Sequence, residues 1–267
     1  MSSLALDHLV VAAASLEVGV AWCEKTFGIV PDAGGAHPRM GTHNRIFGVA
    51  SARFPRAYLE IIAIDPTGAA PAGARWFDLD DPALQARVAE EPQLIHWAVR
   101  CADLGAAVAA FRAGGCDPGD ATAMERRTPQ GWLRWQITIR ADGHRQCGGA
   151  CPTLIEWGEV HPSAGLAPTG VAVVELGLGR KALGTAKQAP GSRERALAAL
   201  LTDTGAVIAD ALEAPLRAVF DTPRGRIVLE SGRGPASASA TPLGDDPGHA
   251  HGVAEGTRST SENNSAI

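Results

Sequence analysis

Two stretches of this chain share one design. Residues 6–12 (LDHLVVA) and 94–100 (LIHWAVR) are short apolar runs of strand type, each holding one histidine, His8 and His96. Two more runs, 57–63 (AYLEIIA) and 153–159 (TLIEWGE), hold a carboxylate in the same way, Glu60 and Glu156. Strand-like apolar runs bury their side chains, and a polar group buried there needs a partner. The order of elements between these runs also repeats. After His8 the pattern predicts a helix capped by Ser15, with Glu17 in its first turn, Val18, Trp22, Cys23 and Phe27 on one face, and Gly28 as its stop. A Gly- and Pro-rich passage at 31–41 holds a short irregular strand, and better strands follow at 45–50 and 57–64. After His96 comes a helix at 104–113, capped by Asp103, with Leu104, Val108 and Phe111 on one face and Gly114 and Gly115 at its end. Strands at 123–127, 132–140 and 152–157 complete the second set. One βαβββ unit is thus written twice, with the polar residues in its first and last strands, and such repetition constrains architecture strongly.

The fold class expected is α+β: repeated βαβββ modules with a third, shorter one appended. The modules span residues 1–66, 93–162 and 163–231. Residues 67–92 form a polar, Pro-rich insertion with one helix at 82–89, either covering a pocket or crossing the surface. The third module starts at 171–179 (VAVVELGLG), continues with a helix at 193–201 capped by Ser192, and ends with strands at 206–209, 215–221 and 226–230. Glu175 and Glu230 stand where the ligand positions of the other units would be, without a histidine, and read as relics of the repeat. Residues 232–267 are rich in Ser, Ala, Gly, Thr and Asn and are expected to be a disordered tail.

The 267 residues carry 45% hydrophobic and 20% charged side chains and a formal net charge of −5. That is ordinary for a globular protein with a proper core. No dense run of Lys and Arg points to nucleic acid, and no apolar run approaches the ~18 residues of a membrane span. The start of the chain has no cationic region of a secretory signal. The five cysteines, Cys23, Cys101, Cys116, Cys147 and Cys151, show no disulfide framework and are expected to be reduced in a cytoplasm. His144, Cys147 and Cys151 in HRQCGGAC lack paired zinc spacing and read as a hairpin loop. His249 and His251 lie in the tail.

The stretches DHLVVAAASLEVGVAWCEKTFGIVP, HPRMGTHNRIF, YLEIIAIDP and IHWAVR resemble the bacterial glyoxalase-like domain family of the vicinal oxygen chelate superfamily. The resemblance covers roughly residues 4–180. It implies two modules whose sheets curl into a cup, paired within one chain or across a homodimer, with one ligand from the first and last strand of each. His8, Glu60, His96 and Glu156 occupy those positions. Val10 and Ala12 would then share the His8 face, Leu9 and Val11 would face the helices, and Trp97 and Trp157 would point away from the cup.

Imidazole and carboxylate are good ligands for Zn, Ni, Co, Mn or Fe as divalent ions. A metal holding two substrate oxygens can stabilise an enediolate, with Glu60 or Glu156 serving as catalytic base. The expectation is a metal-dependent isomerase or lyase acting on a small oxygenated molecule. The alternatives are a non-catalytic binding protein using the same cup, and a ring-cleaving extradiol-type dioxygenase with two His and one Glu around iron. His37, His43 and Asn44, with Arg45 and Arg39 as charge partners, form a candidate substrate-binding group at the rim.

Overall fold

The computed structural model describes residues 4–128, 131–184, 192–233 and 236–237. β1 (Ala5–Ala12) leads to α1 (Leu16–Phe27), then to β2 (Asp32–His37), β3 (Thr42–Gly48) and β4 (Tyr58–Ile64). The insertion carries α2 (Pro82–Glu90). The second unit is β5 (Gln93–Arg100), α3 (Leu104–Ala113), β6 (Asp120–Thr128), β7 (Gly131–Ile139) and β8 (Thr153–Trp157). The caps are the expected ones. The Ser15 side chain accepts from the Val18 N–H, Gly28 ends α1 at φ 75°, and Asp103 accepts from the Ala106 N–H.

The strands form one sheet in the order β2-β3-β4-β1-β5-β8-β7-β6. Within each unit the first and last strands run parallel, β1 beside β4 and β5 beside β8. The units meet where β1 and β5 pair antiparallel, so they join within one chain. The sheet curls until its two edge strands approach. A Cβ built on Gly35 of β2 would lie 2.5 Å from a guanidinium nitrogen of Arg126 on β6.

Alternation along the strands divides the apolar side chains between two clusters. Leu9, Val11, Leu59, Ile61, Trp97 and Leu154 pack outward with Trp22 and Phe27 of α1 and Phe111 of α3. Val10, Ala12, Ile62, Leu133, Trp135, Ile137 and Ile155 face the cup, together with Trp76 and Phe77 from the insertion. The insertion therefore covers the cup. Phe77 and Asp78 take left-handed backbone (φ 62° and 58°), and Arg145 holds the Asp78 carboxylate at 2.7 Å.

The third unit comprises β9 (Ala172–Gly179), α4 (Arg180–Leu183), α5 (Ser192–Asp203), β10 (Val207–Ala209), β11 (Leu216–Thr222) and β12 (Gly225–Glu230). With β13 (Ala236–Ser237) it forms a second sheet, β10-β9-β11-β12-β13. Apart from the additional short α4, its element order is the expected one, but its pairing is not that of the first two units. Here the first strand lies parallel to the second, β10, and not to the last. Glu175 and Glu230 both meet Arg217, Glu230 at 3.5 Å, so they serve an ion-pair cluster. The second sheet packs on the outer face of the first: Phe220 meets Phe27 at 5.2 Å between ring centres. Of residues 232–267, β13 extends this sheet where a disordered tail was expected. The rest of that tail, with His249 and His251, lies outside the described residues after Arg233.

Candidate functional site

The antiparallel seam between β1 and β5 carries a bulge on each strand. Leu6 pairs with Val99 and His8 with Ala98, so Asp7 is the extra residue on β1. Val10 pairs with His96 and Val11 with Leu94, so Ile95 is the extra residue on β5. A bulge breaks the alternation and re-aims a side chain. Each extra residue directly precedes the unit's histidine, Asp7 before His8 and Ile95 before His96.

In the first unit the bulge builds a buried polar chain. The Asp7 carboxylate accepts from His8 Nδ1 at 2.7 Å and, through its other oxygen, from Trp157 Nε1 and His161 Nε2, both at 2.9 Å. A carboxylate can only accept, so Nδ1 carries the His8 proton and Nε2 faces Glu60 Oε2 at 3.5 Å. The other Glu60 oxygen accepts from the Asn44 amide at 2.5 Å, and Asn44 Oδ1 accepts from the Gly35 N–H at 2.7 Å. His37 stands beside Asn44, its Nδ1 3.2 Å from Thr42 Oγ1. Tyr58 stacks on His8 at 4.7 Å.

Burial works against charge on Asp7, His8 and His37, and the partners decide the outcome. Burial alone would raise the Asp7 carboxyl; the bonds from His161 and His8 outweigh it and hold Asp7 well below the usual carboxylate range. Burial alone would lower the His8 imidazole; the bond and charge of Asp7, with the charge of Glu60, leave it raised. For His37, which no carboxylate bonds, burial outweighs the opposing charge of Glu60 and pushes it down to about 4, so it is neutral near pH 7.

His8, Glu60, Asn44 and His37 line a cavity of about 40 Å³. Its walls include Tyr58, Trp135, Trp157, Leu133, Ile137, Ile155 and Arg126, together with Trp76 and Phe77 of the insertion. Of the residues singled out in the sequence, these four are the ones the fold brings together.

The second unit is a depleted copy. In the first unit Glu60 pairs in register with Val10, two residues after the histidine. The matching residue opposite Ala98 on β8 is Thr153. Thr153 Oγ1 lies 3.0 Å from His96 Nε2, where the first unit has a carboxylate. His96 lines a separate cavity of about 30 Å³, and Trp76 and Phe77 stand between the two spaces. Burial, with the charge of Arg145 added, pushes the His96 imidazole well below its ordinary value.

Glu156 is three residues beyond the matching position and faces the helix layer. Its carboxylate accepts from the Leu104 N–H at 2.7 Å, at the start of α3. The neighbouring Trp157 consequently faces the cup, whereas Trp97 points outward as expected and donates to the Ala150 carbonyl at 3.1 Å. The set His8, Glu60, His96 and Glu156 therefore does not fit a single coordination sphere. Among the described residues no three His, Cys, Asp or Glu side chains converge as a metal site requires.

Alternation along β3 likewise separates the rim candidates. Asn44 and Ile46 line the cavity; His43 and Arg45, one residue out of phase with them, stand on the other face of the strand. Arg39 is exposed in the turn after β2. Cys147 lies in a short 3₁₀ turn (Gln146–Gly149), its sulfur 3.5 Å from that of Cys151 just beyond it. The pattern of the sequence did not flag Asp7, Tyr58, Arg126, Thr153 or His161. Arg126 had a usable signal: β6 alternates, and Arg126 falls in the same inward phase as Met124.

A cup made of two βαβββ units joined at their first strands, with His and Glu inside it, defines the vicinal oxygen chelate class of folds. Within that class the chain belongs to the glyoxalase-like domain family, whose sequence profile matches residues 6–200. No curated protein matches it. Similar solved structures include a hypothetical protein from Staphylococcus aureus, with 14% identity over 87% of this chain and 88% of that one and a TM-score of 0.48. Methylmalonyl-CoA epimerase from Mycobacterium tuberculosis shows 18% identity over 57% and 86%, with a TM-score of 0.32. The Streptomyces coelicolor methylmalonyl-CoA epimerase in complex with 2-nitronate-propionyl-CoA shows 19% over 58% and 96%, with a TM-score of 0.37. Likeness of this degree bears on neither site nor activity.

Proposed function

We propose that this protein is an acid–base enzyme that moves a proton on a carbon beside a carbonyl in a small oxygenated molecule. The observation carrying this reading is the buried chain Asp7–His8–Glu60–Asn44, which opens on the cavity. Glu60 is the base: Asn44 orients its carboxylate, and its second oxygen lies beside His8 Nε2 in the cavity wall. Taking the proton leaves an enolate on the substrate. His8, kept protonated by Asp7, donates to the enolate oxygen. Returning the carbon-bound proton from Glu60 to the neighbouring carbon, while His8 recovers a proton from the hydroxyl on the first, completes an isomerisation; return to the same carbon gives exchange with solvent. A positioned acid or base of this kind contributes roughly 10²–10⁴-fold to rate. The metal-chelating form of the mechanism needs His96 and Glu156 at the same centre, and the proton-transfer form does not.

The test is solvent exchange. The protein is incubated in D₂O with α-hydroxy ketones and 2-oxo acids, and the C–H signals beside the carbonyl are followed by NMR. Exchange is expected, falling by about 100-fold or more in Glu60→Gln and unchanged in Glu156→Gln. Binding without exchange would replace the enzyme reading with that of a binding protein. A loss of exchange in Glu156→Gln equal to that in Glu60→Gln would refute the assignment of the base.

A further inference from the structure

We propose that Arg126 is the anion receptor of the cup and that the molecule it takes carries a carboxylate. This deepens the acid–base reading and rests on it only for the location of the ligand site.

Arg126 reaches the cavity from β6, and its Nε is buried without a hydrogen-bond partner. The other inward-held arginines are occupied. Arg145 pairs with Asp78, Arg75 with Asp80, Arg140 with Asp142 and Arg217 with Glu175, while Arg100 donates to the Leu6 and Pro55 carbonyls. The guanidinium is half-buried, and a donor such as Nε kept from water without an acceptor is unfavourable, a cost that a ligand anion on its free edge would offset. Glu60 does not fill this role: its oxygens are directed at Asn44 and His8. His37 is neutral and supplies no competing positive charge.

Strand β2 is shaped to seat this arginine. A Cβ on Gly35 would stand 2.5 Å from the Arg126 Nη1 and 3.1 Å from its Cδ. A Cβ on Gly34 would stand 1.9 Å from Asn44 Oδ1. The two glycines thus admit Arg126 and Asn44 side by side, and no other residue type leaves that space. A planar guanidinium matches a planar carboxylate with two parallel hydrogen bonds. It is the sole Arg or Lys lining the cavity among the described residues, which suits a monoanion better than a phosphate dianion. Walls of Leu133, Ile137, Ile155, Trp135 and Trp157 and a volume of about 40 Å³ call for a short carbon skeleton. The ligand class is a short-chain oxygenated carboxylic acid with its carboxylate on Arg126 and its reacting carbon toward Glu60.

NMR titration of the full chain with pyruvate and glycolate, against pyruvamide and glycolamide, tests this. Each carboxylate should bind at least tenfold more tightly than its amide. The preference should vanish in Arg126→Met, persist weakly in Arg126→Lys, vanish in Gly35→Ala and survive in Glu156→Gln, whose carboxylate lies outside the cup. Gly35→Ala leaves the arginine in the chain, so it guards against a merely misfolded Arg126→Met. Equal binding of acids and amides, no binding of either acid, or a preference that survives Arg126→Met would each overturn the proposal. Tighter binding of inorganic phosphate than of either acid would overturn the carboxylate assignment. Binding is read here and not turnover, so a failed proton transfer with an intact acid preference removes the acid–base reading alone.

Discussion

Replacing Asp7 by Asn would keep the shape of the β1 bulge and remove a charge that His8, His161 and Trp157 all address. Asp7 lies below its ordinary value of 3.8, so its contribution to stability is full above that pH and is lost as pH falls. His8 lies above its ordinary 6.5, so its contribution is full below pH 6.5 and is lost as pH rises through the raised value. The pair therefore stabilises the fold most between these two ordinary values. Urea denaturation should show Asp7→Asn destabilised by on the order of 3 kcal/mol at pH 5.5, with a smaller deficit at pH 9. A deficit independent of pH would remove the ion pair from the account. His8 and Glu60 were legible in the sequence because a polar residue in an apolar strand has few explanations. Asp7 was not, because strict alternation assigns it to the helix layer. Only the bulge, which leaves no mark in the residue pattern, turns it inward.

At the scale of elements, register separates Glu156 from Thr153. Both fall in the last strand of the second unit, and the sequence shows only that a carboxylate is present. Pairing of β8 with β5 decides which residue lies opposite Ala98, and it selects Thr153. Glu156 is left to meet the first N–H of α3, where a negative charge is favourable. Glu156→Gln should cost about 0.5–1 kcal/mol in thermal or urea melts and leave acid binding in the cup unaltered. The same logic divides His43 from Asn44. Neighbours on a strand cannot both face the cup, and nothing in the composition of THNRIF says which one does.

For the whole molecule, order of elements was readable and pairing was not. The third unit has the strands and helix expected of it, yet its first strand chooses a different neighbour from that in the other two. Its sheet supplies Phe220, Leu216 and Val173 to the same cluster that holds Phe27, Phe47 and Trp97. The two sheets share one core, so they should unfold together. Phe220→Ala is expected to lower stability by about 3–5 kcal/mol, with tryptophan fluorescence and far-UV circular dichroism falling in one coincident transition. Separate transitions would mean that the second sheet is an independent domain.

The seam between β1 and β5 relates the halves of the cup by a near-twofold axis, but the halves do not offer the same groups. One side presents Asp7, His8 and Glu60; the other presents Ile95, His96 and Thr153 behind Phe77. A planar intermediate lying between them would meet a base on one face only. Inverting a stereocentre by proton transfer on opposite faces needs a base on each. A cup with a single basic side instead favours suprafacial transfer, in which a proton leaves and returns on the same face. Deuterium taken from solvent should then enter with one handedness, and the product should be a single stereoisomer, both measurable by NMR of a chiral derivative.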